Sequence, residues 1–369
     1  MAGEALVRAP AWEWVLAPVR TRVAARMVPD LVPMARAPAR RTAAASVASA
    51  AASDRSRSNP QQHRGSCAYV PRVTEPREIV VRSPAKLNLA LSVGPPGADR
   101  MHPIASWMVT LDFGDELHLR MLDPGRDSLY AVVWAKDAPR PTAVDWPIQK
   151  DLAVRAHLAL QQAVGRPLPL RMKLEKRVPV GGGLGGGSSN AAAMLRGLRE
   201  LYSLDIDDDA LREIARGLGS DVPFLVRGGS AVVEGLGERL EHHARAPDVH
   251  AVLAFPAAAC PTGPVYGKFD LMRPDAALQP ARVRALASAG AVAHDAPFND
   301  LAEPAIAVAP VLADEIAQLR QVTGRAVHVS GSGSTIFALC GGRLEADMLA
   351  AQVRERTSLP AVAVSASAG

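Results

Sequence analysis

The chain has 369 residues, 48% of them apolar but only 4% aromatic, so one large or two ordinary domains with an Ala-, Val- and Leu-filled core are expected, and no apolar run reaches the ~18–20 residues of a membrane span. Its three cysteines, Cys67, Cys260 and Cys340, lie far apart, which argues against a disulfide framework or a zinc cluster and suits a reducing compartment. The net charge of +5 is local: residues 1–77 hold twelve arginines and no lysine against five acids, a net +7, so the remainder carries −2 and gives no reason to expect a nucleic-acid partner.

Residues 1–76 do not read as a packed domain. The stretch "ARAPARRTAAASVASAAASDRSRSNPQQHRGS" is low-complexity Ala, Arg and Ser without a lasting 3.6 or 2 period. A disordered extension is the plainest reading. Arg-rich, Ser-rich, acid-poor composition also describes a transit peptide, an over-long start is a third explanation, and an isolated helix around Trp12–Val23 stays open.

Order is expected from Arg77. "REIVVRSPAKLNLALSV" alternates as strands do, with Pro84 interrupting, and "WMVTLDFGDELHLRML" continues in strand character. Leu152, Ala156, Leu158 and Leu160 have helical spacing. "LRMKLEKRVPV" is a strand leading into "GGGLGGGSSN", where two serines are placed to cap a helix carrying Ala193, Leu195, Leu198 and Leu201. "DDDALREIARGLG" starts on acids and ends on glycine, as helices do. "PFLVRGGSAVVEGLGERL" reads as a β-hairpin. "HAVLAFP" is a strand, "RVRALASAG" and "VLADEIAQLRQVTG" are helical, and "AVHVSGSGSTIFALCG" is strand, glycine turn, strand. "LEADMLAAQVRER" is a helix and "AVAVSAS" a last strand. Strands and helices without regular βαβ alternation predict an α+β fold in two subdomains, residues 77–240 and 241–369.

The segment Val178–Leu195 spends six of its eighteen residues on glycine. A flexible linker is one reading. The flanks favour another, because a strand, a glycine loop and a helix start aim backbone N–H groups and the helix dipole at one point. That point suits an anion, most often phosphate. The loop lacks the lysine of G-x-x-x-x-G-K-[ST] and the acid of the dinucleotide fingerprint, so a lysine from elsewhere or Mg²⁺ must meet the remaining charge.

This segment closely resembles the ATP-binding loop of the GHMP small-molecule kinases. Two more motifs of that superfamily follow the same order, "SPAKLNLAL" at 83–91 and "VSGSGSTIFAL" at 329–339. The PAKLNL form of the first, with "GSDVPFLVRGGSAVVEGLGE" at 219–238 and "FNDLAEPA" at 298–305, most resembles the subfamily acting on 4-diphosphocytidyl-2-C-methyl-D-erythritol in the non-mevalonate route to isoprenoid precursors. The resemblance covers roughly residues 80–365. It implies the two-subdomain GHMP fold, an N-terminal ribosomal protein S5 domain 2-like part and a C-terminal ferredoxin-like part. It also implies ATP and Mg²⁺ as cofactors, a small-molecule partner rather than nucleic acid or membrane, and a monomer or homodimer. The location implied is cytoplasmic, or plastid if the extension is a transit peptide.

The resemblance assigns catalysis to Lys86 and Asp221, with Asp221 as general base and Lys86 as its cationic neighbour. On residue type alone, Asp221 reads first as a turn or cap residue, and Lys86 as a lysine snorkelling out of an apolar strand. Nucleotide binding is implied for Lys176, Pro179, Gly181, Gly182, Gly183, Leu184, Gly185, Gly186, Gly187, Ser188, Ser189 and Asn190. Of these, Lys176 matches a position near the adenine or is an exposed strand-end lysine. Ser188 and Ser189 bind phosphate, cap the helix or, for Ser189, hold the metal. Acceptor binding is implied for Asn88, two residues from Lys86 and so on the same face of a strand, and for His102, Thr262 and Tyr266. Ser330–Ser334 is expected to turn against the active centre.

One stretch departs from the subfamily. Its D-G-Y-H sequence is Asp99, Arg100, Met101, His102 here. Methionine lacks the flat face of the tyrosine, which leaves a kinase of another polyol or isoprenoid alcohol as the alternative. The fold also hosts a diphosphate decarboxylase, against which Lys86 argues, and a non-catalytic sensor would not need Lys86, Asp221 and the loop together.

Overall fold

The computed structural model describes residues 77–369 apart from 244–247, 290 and 369. The 1–76 extension, with the helix considered around Trp12–Val23, lies outside the described residues. Two long strands open the fold. β1 (Glu78–Val93) and β2 (Ile104–Met121) pair antiparallel, with Glu78 opposite Arg120 and Val93 opposite Ile104. Pro84 does not end β1 as expected. It is absorbed by a register shift between Pro84 and Lys86, opposite Gly114. A Cβ on Gly114 would stand 2.8 Å from Pro84 Cα, so glycine lets the two strands stay together where proline cannot donate to the ladder. A second shift lies between Asn88 and Ala90. The Lys86–Asn88 segment is therefore bracketed by irregularities that re-aim its side chains.

β3 (Leu129–Trp134), α1 (Leu152–Val164) and β4 (Leu170–Lys176) follow. Asp151 caps α1, its Oδ1 accepting from Ala153 N at 2.9 Å, and Gly165 ends it in the left-handed region. The buried face of α1 carries His157. Its Nε2 donates to the Leu168 carbonyl at 2.9 Å and its Nδ1 accepts from the Tyr130 hydroxyl at 2.8 Å. Burial pushes its pKa down to about 4, so it serves the core as a neutral imidazole.

α2 (Gly186–Leu201) packs on β1 and β2 and against α1, with Ala191 to Leu195, Leu198 and Leu201 buried. Each of its buried leucines contributes about 1.5–3 kcal/mol. Helix and sheet touch at Gly197, where a Cβ would come within 2.8 Å of Val81 Cγ2. α3 (Asp208–Arg216) is capped by Asp207, whose Oδ1 accepts from Ala210 N. The stretch expected to be one hairpin divides. Val222–Arg227 is a short helix, α4, with proline in its first turn and Val222, Phe224, Leu225 and Val226 buried. Proline favours that position because its φ is already helical and its missing N–H is not needed there. Gly228 turns the chain, and the hairpin proper is β5 (Ser230–Gly235) and β6 (Arg239–His242).

The second half comprises β7 (His250–Ala254), α5 (Thr262–Met272), α6 (Pro280–Ala287), β8 (Phe298–Asn299), α7 (Ala302–Val308), α8 (Val311–Thr323), β9 (His328–Val329), β10 (Ile336–Cys340), α9 (Arg343–Arg356) and β11 (Ala361–Ser365). One sheet runs β3-β4-β2-β1-β8, with β5 also on β2 and β6 on β5. The other runs β11-β7-β10-β9 and is antiparallel throughout. Leu87, Leu89, Trp107 and Val109 of the first share a core with Ala251, Leu253, Phe337 and Val364 of the second. α8 and α9 pack on the second sheet. The expected α+β class holds. Among the described residues no helix is long and apolar enough to cross a membrane, and Cys260 and Cys340 are free thiols in the interior.

Candidate active site

The segment between the two irregularities of β1 carries Lys86, which is 4% exposed and so does not snorkel to solvent. Its Nζ donates to Asn88 Oδ1 at 2.6 Å and lies 3.5 Å from Asp221 Oδ2. Asn88 Nδ2 donates to Ser106 Oγ at 2.8 Å, and Ser106 Oγ donates to the Ala90 carbonyl at 2.7 Å. The lysine and asparagine are thus fixed in one orientation. Asp221 occupies the N-cap position of α4, yet its carboxylate makes no capping hydrogen bond. It remains available to the cavity in front of it.

The glycine loop packs directly on this pair. Leu184 O accepts from Lys86 N at 2.9 Å. Gly185 is left-handed, with φ +66, and a Cβ there would stand 2.8 Å from Lys86 Cγ and 3.6 Å from Asp221 Oδ2. Gly183, with φ +75, would drive a Cβ into the Ser330 carbonyl. No L side chain satisfies either position. α2 begins at Gly186 with Gly185 as its cap residue. The serines expected to cap it stand instead in its first turn, because the left-handed glycine has already turned the chain. The turn after β9 closes the other side, Gly331 lying against Gly183 O, Asn88 Oδ1 and Lys86 Nζ. Three segments far apart in sequence meet at one ammonium group.

In front of them opens a cavity of about 560 Å³, a volume that suits a small-molecule ligand. Lys86, Asn88, Lys176, Pro179, Gly181 to Ser188, Asn190, Asp221, Thr262 and Tyr266 lie on its wall. Of the residues expected from sequence, Ser189 and His102 stand off it. Among the described residues, the buried Ser189 Oγ has no hydrogen-bond partner. His102 lies behind Tyr266, ring centroids 4.9 Å apart, with Nε2 2.7 Å from Asp270 Oδ1. Burial and, second, the Asp221 charge push the Tyr266 hydroxyl up to about 12. Thr262 Oγ1 and Ser332 Oγ are 3.2 Å apart.

Lys176 is not an exposed strand end. It is 4% exposed, and its Nζ lies 2.6 Å from Asp115 Oδ2 and 5.7 Å from the Trp134 ring centroid. Asp115 also accepts from Asn190 Nδ2 at 3.0 Å, Arg177 N at 2.6 Å and Val178 N at 2.8 Å. Asn190 Oδ1 in turn accepts from Ser83 Oγ at 2.6 Å. One carboxylate thereby ties the end of β4, the entry to the loop and the first turn of α2 together. Sequence reasoning missed Asp115 and Asp270. The first shares "LDFGDELHL" with Asp112 and Glu116, so no local signal singles it out. The signal for the second was its i+4 spacing from Tyr266.

The Arg100 and Met101 departures take a definite form. Arg100 is left-handed at φ +64, so the backbone keeps the turn a glycine would make. Gly97 O accepts from Arg100 N, and Asp99 Oδ1 accepts from Met101 N at 2.9 Å. Met101 is 53% exposed and is not on the cavity wall.

Residues 151–229 match the model of the GHMP kinases N terminal domain. The chain is 39% identical over 275 residues to the 4-diphosphocytidyl-2-C-methyl-D-erythritol kinase of Caulobacter vibrioides (strain NA1000 / CB15N), covering 73% of this chain and 92% of that one. It is 36% identical over 265 residues to the Exiguobacterium sibiricum protein of the same name, covering 71% and 88%. A crystal structure of 4-(cytidine 5'-diphospho)-2C-methyl-D-erythritol kinase superposes with a TM-score of 0.63 at 33% identity, over 79% of this chain and 100% of that one. Methanococcus jannaschii mevalonate kinase, at 9% identity and a TM-score of 0.55, shares the fold. The chain therefore belongs to the GHMP kinases and, within them, to the 4-diphosphocytidyl-2-C-methyl-D-erythritol kinase family.

Proposed function

We propose that this chain transfers the γ-phosphate of ATP to the 2-hydroxyl of 4-diphosphocytidyl-2-C-methyl-D-erythritol. The observation that carries the reading is the Lys86–Asp221 pair, 3.5 Å apart, on the wall of a cavity edged by the glycine loop. The loop N–H groups and the start of α2 receive the triphosphate. Asp221 takes the proton from the acceptor hydroxyl. The hydroxyl oxygen bonds to the γ-phosphorus as the bond to the bridging oxygen breaks, and ADP leaves with that electron pair. Lys86, held by Asn88, keeps positive charge beside both the base and the moving phosphoryl group. Thr262 and Tyr266 bound the acceptor, and Lys176 and Pro179 bound the nucleotide. Mg²⁺ belongs to this reading: Ser188 and Asp221, hard oxygen donors on the wall, would hold it beside water and phosphate oxygens. When bound, it supplies further neutralisation of phosphate charge.

The reading assigns nucleotide binding to residues 77–240 and the remainder of the acceptor wall to residues 241–369. The chain acts as a monomer or homodimer in the cytoplasm, or in a plastid if residues 1–76 direct it there. The test is ADP release by wild type beside Asp221→Asn. Wild type should turn over only with the cytidylyl acceptor, and the variant should lose roughly two or more orders of magnitude. Release independent of that acceptor would overturn the reading. With Met101 at the position of the subfamily's tyrosine, a kinase of another polyol or isoprenoid alcohol is the second reading, and a preference for such an alcohol in the same assay would establish it.

A further inference from the structure

Asp270 lies outside the cavity wall, yet it holds a residue that braces it. On α5, Thr262, Tyr266 and Asp270 are spaced four apart and so share one face of the helix. The first two line the cavity. The third reaches across to the segment joining β1 and β2, where its Oδ1 is 2.7 Å from His102 Nε2. The His102 side chain is 8% exposed, the Asp270 side chain 40%. A carboxylate can only accept, so the imidazole nitrogen is the donor. A neutral ring then has its proton on Nε2 and leaves Nδ1 unprotonated. The ring is clamped from the other side by Tyr266, centroids 4.9 Å apart, and by the edge contact with Phe269 at 6.1 Å.

His102 joins two chain segments, and Asp270 supplies the hydrogen bond between them. Within the 94–103 segment, Gly94 N donates to Pro103 O and Gly97 N to Met101 O. Helix α5 carries the Tyr266 ring. A fixed His102 therefore fixes where that ring stands relative to Asp221, whose charge it feels. The nucleotide side of the cavity is held separately, by Asp115 and the glycine loop.

We propose that Asp270 is a positioning residue for the acceptor alcohol. It sets the orientation and tautomer of His102, and through His102 the Tyr266 wall, while leaving the ATP side untouched. This rests on the acceptor reading above. Outer partners that lock a ring in place are what keep such walls within the tolerance that chemistry needs.

The test compares Asp270→Leu and Asp270→Asn with wild type. Losing a hydrogen bond to a charged group should raise KM for the cytidylyl acceptor about tenfold in Asp270→Leu, with kcat and KM for ATP within about twofold. The amide oxygen of Asp270→Asn accepts the same bond and should restore KM to within about threefold of wild type. Imidazole ¹⁵N shifts give a readout that needs no turnover. His102 should show one Nε2–H form in wild type and in Asp270→Asn, and a mixture of tautomers in Asp270→Leu. If the acceptor were misassigned, wild type would not turn over, and the ¹⁵N shifts alone would decide the role of Asp270. Unchanged shifts in Asp270→Leu, an unchanged acceptor KM, an equal rise in the ATP KM, or Asn behaving as Leu would each overturn the proposal.

Discussion

Gly185→Ala separates backbone strain from damage to the site. Gly185 has φ +66, and its added Cβ would stand 2.8 Å from Lys86 Cγ and 3.2 Å from Lys86 Cε. Gly324, the residue that ends α8, has φ +65 with nothing within 4 Å of its Cβ position. Both alanines should meet the left-handed cost of about 1–2 kcal/mol. Only the first meets a neighbour, and that neighbour cannot retreat. The Lys86 stem is buried, its Nζ is held by Asn88 and its N–H by Leu184 O. The overlap must be relieved by moving the loop or the lysine by several tenths of an ångström, against a pair set 3.5 Å apart. A misplacement approaching 1 Å can cost about 10²-fold in rate. The expected outcome is a similar loss of stability from strain in both variants, some further loss in Gly185→Ala, and a fall in kcat of one to two orders of magnitude in Gly185→Ala alone. Urea unfolding and coupled ADP release measure the two. Equal kcat in the two variants would refute the claim that the loop is seated on Lys86.

Asp115→Ala should cost about 3–5 kcal/mol in urea unfolding, because it strands the buried Lys176 ammonium and two loop N–H groups. A loss below about 1 kcal/mol would mean that water replaces the carboxylate and that the loop entry is held otherwise. The neutral, buried His157 adds a pH dependence. Its folded pKa of about 4 lies below the ordinary 6.5, so the unfolded chain takes the proton first. Its contribution is complete above the ordinary value and is lost as pH falls toward about 4. Between about pH 7.5 and about pH 5 that loss is about 2 kcal/mol. The stability difference between wild type and His157→Gln should narrow by that amount over this range, and a difference that stays constant with pH would show that burial does not lower the His157 pKa.

The glycine loop was legible because a strand, six glycines and a helix start leave few other uses for such a composition. Lys86 was legible as a motif position, but its burial was not, since a lysine in an apolar strand reads as snorkelling until its partners are seen. Asn88 and Asp221 lie two and 135 residues away. Local pattern reached the first and not the second. Asp115 was invisible for the same reason: its partners sit 61 to 75 residues on, and an acid in a strand has no local feature that marks it as an anchor. Pro84 misled because proline removes a strand donor, whereas the compensation is Gly114 on the neighbouring strand. The division of 223–240 into helix and hairpin turned on the buried side chains of Val222 to Val226, which a hydrophobic run of that length does not distinguish from strand.

The same contacts explain why the site needs glycine in two distant loops. Lys86 must be dry for its charge to act at full strength on a neighbouring carboxylate, and a lysine stem is dried only by close cover. Backbone covers it more tightly than side chains do. Gly185 covers the stem from one side, and Gly331 approaches the ammonium from the other, its Cβ position 3.4 Å from Nζ. Gly183 lets the two loops touch, since any Cβ there would meet the Ser330 carbonyl. The glycine run therefore has two separable duties, presenting N–H groups to phosphate and sealing the lysine. Gly181, with nothing within 4 Å of its Cβ position, can serve only the first.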